Sequence, residues 1–164
     1  MEIPLRANAR WIDTSIIVGS VMFMFALAVS AFFAPQWRAM HVMQALPYIV
    51  IIILTRRMSP WGFGAGVITA CFWNWLLLFR SPVGVALVHG QVAQPDIAIQ
   101  LLAALGHFLI IVACLAGFWR TRPAGRQWAQ FVGGGAIAVG YLLAMVWTVG
   151  PPEAAEHVKQ ALGL

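Results

Sequence analysis

Few side chains in this 164-residue sequence could do chemistry, and most of them stand in apolar surroundings. His107 lies about ten residues into the uncharged stretch 97–119. At ~1.5 Å of rise per residue, a helix there carries the imidazole to the middle of a bilayer. A neutral imidazole at that depth can bond a neighbouring helix, ligate a haem or metal, or handle a proton. Asn74, in Phe-Trp-Asn-Trp-Leu at 72–76, is the second polar candidate. Its amide must find a partner or bear the cost of desolvation. It reads as interhelical glue worth roughly 0.6–2 kcal/mol, or as a polar contact for a solute between the walls of Trp73 and Trp75. Met40-His41-Val42-Met43 adds an imidazole among soft sulfurs, a set suited to copper(I). A metal reading therefore groups His41, Met43 and His107. Against it, no two histidines stand at i, i+3 or i, i+4, and His41 falls shallower than His107. The simpler expectation is no cofactor.

What is missing narrows the chemistry further. All five acids, Glu2, Asp13, Asp96, Glu153 and Glu156, fall at or beyond the ends of the apolar stretches. No Lys or Arg falls mid-stretch. Proton-coupled carriers place an ionisable group near the midplane, and intramembrane proteases and phosphatases need carboxylates or basic clamps. No catalytic residue can be named, so an enzyme is the weaker expectation. Cys71 and Cys114 are too few and too far apart for a disulfide framework or a zinc site.

Composition explains why polar groups are scarce. Hydrophobic residues make up 62% of the chain and charged ones 9%, with a mean hydropathy of +0.85. A soluble domain carries about a quarter charged residues. The deficit excludes a water-soluble globule, a disordered tail and a fibrous repeat. Ten Lys and Arg against five acids, with no basic cluster on a polar face, exclude a nucleic-acid partner.

Uncharged stretches at 14–37, 39–55, 58–79, 97–119 and 127–152 then predict the elements. Four meet the roughly 20 residues that cross about 30 Å of hydrocarbon, and 39–55 is marginal but intensely apolar over 48–54. The expected fold is an all-α integral membrane protein, one polytopic domain over 1–164. Its five transmembrane helices run at about 15–35, 39–55, 60–79, 97–119 and 128–149. Pro35, Pro60, Pro82, Pro95, Pro123 and Pro151 fall near helix ends, where a missing N–H is tolerated. Pro47 alone falls inside a span and is expected to kink or locally unwind it. Residues 81–96 form the longest loop, either on the membrane surface or re-entrant, and 151–164 a short amphipathic tail. Arg6, Arg10, Arg56, Arg57, Arg120, Arg122 and Arg126 share one side, against Arg38, Arg80 and Lys159 on the other. By the positive-inside rule the N-terminus is cytoplasmic and the C-terminus outside, in a bacterial inner membrane. A rival reading takes Arg6, Arg10 and Ala-Val-Ser-Ala at 28–31 as a cleaved signal peptide; the apolar run continuing to Ala34 argues against it.

The strongest positive signal is packing. Gly62, Gly66, Ala70 and Asn74 follow one another at four-residue steps in the third span, as do Ala136, Gly140, Ala144 and Thr148 in the fifth. Small-residue ridges let helix backbones approach closely inside a membrane. They seat helices within the monomer, or at least one of them meets another subunit. Gly133-Gly134-Gly135 is expected to weaken or flex the fifth helix near its start. The expected partners are the lipid bilayer and either other membrane subunits or a second copy. The expected function is a non-catalytic subunit or assembly factor of a membrane complex. The alternatives are a protomer of a small-solute transporter or channel, and a haem or copper redox protein using His107.

Overall fold

The computed structural model describes residues 10–79, 82–90, 95–121 and 123–149. Its helices are α1 (Arg10–Phe33), α2 (Arg38–Arg56), α3 (Pro60–Phe79), α4 (Pro82–Val88), α5 (Pro95–Arg120) and α6 (Gly125–Val149). A 3-10 turn, Pro35–Trp37, joins α1 to α2. All but α4 are long and apolar enough to cross a membrane, five in number. The fold is thus all-helical among the described residues, as the charge-free stretches predict. The tail 151–164 and residues 1–9 lie outside the described part.

Local chemistry stops each helix where the chain must turn. Arg38 Nε donates to the Ala31 carbonyl at 3.0 Å, closing the last turn of α1 with a cation. After α2, Met58 takes a left-handed φ of 54° while Ser59 N–H returns to the Leu54 carbonyl at 3.1 Å. The Ser59 carbonyl then accepts from Gly62 and Phe63, and Pro60 fills the first position of α3. At the start of α6 the Gln127 side chain reaches back to accept the Ala124 N–H at 3.2 Å.

Continuous helix runs through both expected breakers. The stretch 133–135 does not loosen α6, which is continuous from Gly125 to Val149. The glycines serve close approach instead. A Cβ at Gly64 would strike the Phe131 carbonyl, and one at Gly134 would strike the Trp61 carbonyl. The backbones of α3 and α6 therefore touch, and packing outweighs the weak propensity of the triplet. Pro47 likewise leaves no unwound turn in α2. Proline removes the N–H that the carbonyl four residues earlier would receive. That carbonyl belongs to Met43, and Tyr141 of α6 donates its hydroxyl to it at 2.7 Å. A neighbouring helix thus re-satisfies the freed group, as apolar surroundings require. Tyr141→Phe is expected to destabilise the fold by about 1 kcal/mol. In a Pro47→Ala background that loss should shrink towards zero, because the new N–H takes the carbonyl. A double-mutant cycle of unfolding in mixed micelles measures the difference, and strictly additive losses would refute the pairing.

Packing organises the bundle around α3. It contacts α2, α5 and α6, while α1 lies along α5 and α2. The core holds Ile12, Ile16, Tyr48, Ile51, Phe63, Ile110 and Phe118, each at most 1% exposed. Large apolar side chains, among them Leu105, Phe108, Val132 and Ile137, cover the outside. An all-round apolar helix surface of this kind suits lipid or another protein, not water. The loop expected at 81–96 contains α4, whose Val83 and Ala86 bury against Ile97 with Leu78 and Leu101 beside them. That segment is docked on the end of the bundle; Val85 and Val88 stay exposed.

Candidate functional site

The polar centre of the bundle is built by four helices. From α5, His107 enters the core with no exposed surface. Tyr48 of α2 stands with its hydroxyl 2.7 Å from His107 Nε2. On the far side of the ring, His107 Nδ1 is 3.1 Å from Asn74 Oδ1 of α3. Asn74 Nδ2 donates to the Ala104 carbonyl at 3.3 Å, one turn before His107. Phe23 of α1 covers the imidazole with ring centres 4.3 Å apart and meets Tyr48 at 4.6 Å.

These contacts dictate where each proton sits. The Ala104 carbonyl can only accept, so the amide nitrogen of Asn74 faces it and Oδ1 faces His107. Oδ1 in turn can only accept, so Nδ1 of His107 carries the ring proton. Nε2 is left with its lone pair and receives the hydroxyl proton of Tyr48. The chain of donors therefore runs one way, Tyr48 to His107 to Asn74 to Ala104. The imidazole has both nitrogens engaged, and three helices are tied at one depth.

Close helix crossing makes room for this arrangement. Gly106 precedes His107, and Gly19 lies one turn from Phe23. A Cβ at Gly106 would stand 2.6 Å from the Gly19 carbonyl, and one at Gly19 would strike the Gly106 carbonyl. The two backbones meet there, which presses Phe23 onto the imidazole. Three buried polar atoms, Ser20 Oγ, Thr69 Oγ1 and Trp73 Nε1, have no hydrogen-bond partner among the described residues.

His107 and Asn74, singled out by type and depth, are thus brought together. Tyr48, Phe23, Gly19 and Gly106 escaped sequence reasoning. The available signal was one hydroxyl in the run Tyr48-Ile-Val-Ile-Ile-Ile-Leu54, and a glycine in the middle of each of two spans. Trp73 is buried and 6.2 Å from Phe23, but Trp75 is 46% exposed and faces outward, so the two do not wall one pocket.

His41, Met43 and His107 do not converge. His41 Nδ1 lies 2.9 Å from Gln44 Oε1 and its Nε2 lies 2.9 Å from Ser30 Oγ. Both ring nitrogens of each histidine therefore face separate protein partners. No group of three His, Cys, Asp or Glu residues able to hold a metal gathers among the described residues.

The two small-residue ridges part company. On α3 the ridge faces inward: a Cβ at Gly62 would stand 2.5 Å from Leu54 Cβ, and one at Gly66 2.6 Å from Cys114 Sγ. Ala70 has no exposed surface, and the ridge ends at Asn74. On α6 the packed face is Gly134, Gly135, Ala138, Leu142 and Met145. Ala136, Gly140 and Ala144 lie on the opposite, exposed face, and a Cβ at Gly140 would meet nothing within 4 Å.

The chain matches no protein-family model, no curated protein and no solved structure. Its class is defined by its own geometry, an all-helical bundle with five helices of membrane-crossing length and apolarity around one buried polar cluster.

Proposed function

We propose that this protein is a multi-pass membrane protein that works by helix–helix association, as a non-catalytic subunit or assembly factor of a membrane complex. The observation that carries the reading is the outward ridge of Ala136, Gly140 and Ala144. Helix α6 packs mainly on α3 and α2, with Trp128 and Phe131 also against Phe118 of α5, and its face at Ala136, Gly140 and Ala144 is exposed. The matching ridge on α3 is fully used in packing, which shows what such a surface does when a helix meets it. The polar centre supports the same reading. Its hydrogen bonds close on one another, so its evident work is to hold helices in register.

Orientation belongs to the proposal. Arg10, Arg56, Arg57, Arg120 and Arg126 stand at helix ends on one side of the bundle, and Arg38 stands on the other. That asymmetry supports a cytoplasmic N-terminus in a bacterial inner membrane, with the C-terminus outside.

Gly140→Ile tests the function. Because nothing lies near that position, unfolding of the isolated protein should change by no more than about 0.5 kcal/mol. Co-purification of its partner subunits in mild detergent, or of a second tagged copy, should be lost. Unchanged co-purification would count against the ridge. Activity of the single chain after reconstitution would count against a subunit role altogether.

A further inference from the structure

A cavity of about 260 Å³ opens between the last turn of α1 and the first turns of α5, lined by Ser30, Phe33, Asp96 and Gln100 with Val29 and Ile99. Asp96 and Gln100 stand one helical turn apart and so share a face of α5. Ser30 brings a hydroxyl from the opposite wall. Behind it stands His41, with Nδ1 2.9 Å from Gln44 Oε1. His41 Nε2 lies 2.9 Å from Ser30 Oγ and holds that hydroxyl in place. In either tautomer of His41 the Ser30 oxygen keeps a lone pair free to accept.

The polar wall thus offers acceptors: a carboxylate, a hydroxyl oxygen with a free lone pair, and an amide whose carbonyl can rotate in. Phe33, 74% exposed, adds an aromatic ring to the lining. Such a wall recognises a cation rich in N–H donors. A primary ammonium has three, whereas a trimethylammonium carries the same charge with none. Val29 and Ile99 continue the lining with apolar surface. At the same end of the bundle Arg38 is exposed, with Nε held by the Ala31 carbonyl and its outer nitrogens available to an anion. An ammonium, a phosphate and apolar chains together describe one ligand class.

We infer that this cavity binds the headgroup of an aminophospholipid in the leaflet at the Asp96 end, with the ammonium between Asp96, Gln100 and Ser30. The inference rests on the membrane reading above. The test uses the full chain in nanodiscs of equal parts phosphatidylethanolamine and phosphatidylcholine. Native mass spectrometry after transfer to mild detergent reads the lipid that stays bound. Phosphatidylethanolamine should be retained about tenfold over phosphatidylcholine, the difference expected of a charge-assisted hydrogen bond. Asp96→Asn keeps the shape, removes the charge and should bring the ratio close to one. Ser30→Ala should lower it about threefold. Equal retention by the unaltered chain, or an undiminished preference in Asp96→Asn, overturns the site. Soluble ethanolamine that displaces the lipid at equal concentration overturns the lipid as its source. A chain that enters nanodiscs of neither lipid overturns the membrane reading itself, an outcome distinct from entry without preference.

Discussion

Replacing His107 with alanine is expected to destabilise the bundle by about 3 kcal/mol. Two interhelical hydrogen bonds disappear, each worth about 0.6 kcal/mol in a membrane setting. The Tyr48 hydroxyl and Asn74 Oδ1 lose their partner. Removal of the ring also leaves a void under Phe23, whose centre lies 4.3 Å from that of the imidazole. Such voids account for roughly 2 kcal/mol when the surroundings cannot collapse. Tyr48→Phe removes one hydroxyl without a void and should lose only about 1 kcal/mol. Because the protons are ordered, the losses should not add. Once His107 is gone, Tyr48→Phe removes a hydroxyl that was already unpaired and should be neutral or slightly stabilising. Unfolding of the single and double variants in mixed micelles measures all three quantities. A His107→Ala loss within about 0.5 kcal/mol would show that the cluster does not hold the helices.

The five helices were legible because charge marks their ends. Arg56 and Arg57 close α2, Arg120 closes α5, and the prolines at 35, 60, 82 and 95 stand at the turns. Rotation of each helix about its axis was not legible, and the site depends on it. The ridges of α3 and α6 have the same spacing and residue types, yet one is buried and the other exposed. A four-residue step says that small residues share a face, not which neighbour that face meets. His107 and Asn74 were visible as polar residues at depth. Their meeting was not, because they lie 33 positions apart and are joined only when α3 and α5 turn those faces together. Tyr48 was hidden by its aliphatic company, and Pro47 misled for a related reason. The proline's disruption is answered by Tyr141 from a helix 98 positions from Met43, a compensation no local window contains. His41 and Met43 looked like metal donors because sulfur and nitrogen were near in sequence. The fold instead turns His41 towards Ser30 and Gln44.

The largest effect of all is expected at the crossing of α1 and α5. Most overpacked sites relax by rotating side chains, with losses of about 1–3 kcal/mol. At Gly106 the obstacle is backbone: a Cβ would stand 2.6 Å from the Gly19 carbonyl oxygen and 3.1 Å from Met22 Cβ. No rotamer change moves a carbonyl, so the two helices must separate. Gly106→Val should therefore destabilise by about 4 kcal/mol, at the upper end for single substitutions, and in a marginal fold should prevent assembly of α1. Gly19→Val should behave alike, since its own Cβ would strike the Gly106 carbonyl. Separation at this point also lifts Phe23 from the imidazole, because Gly106 and His107 are adjacent in the chain. The stability loss should thus overlap that of His107→Ala, and the double variant should fall short of their sum. Gly140 supplies the internal control, being a glycine of the same chain, in a helix of similar length, with open space around it. If Gly106→Val and Gly140→Val unfold at the same denaturant concentration, the two backbones do not meet at Gly19. The depth assigned to His107 then loses its physical basis.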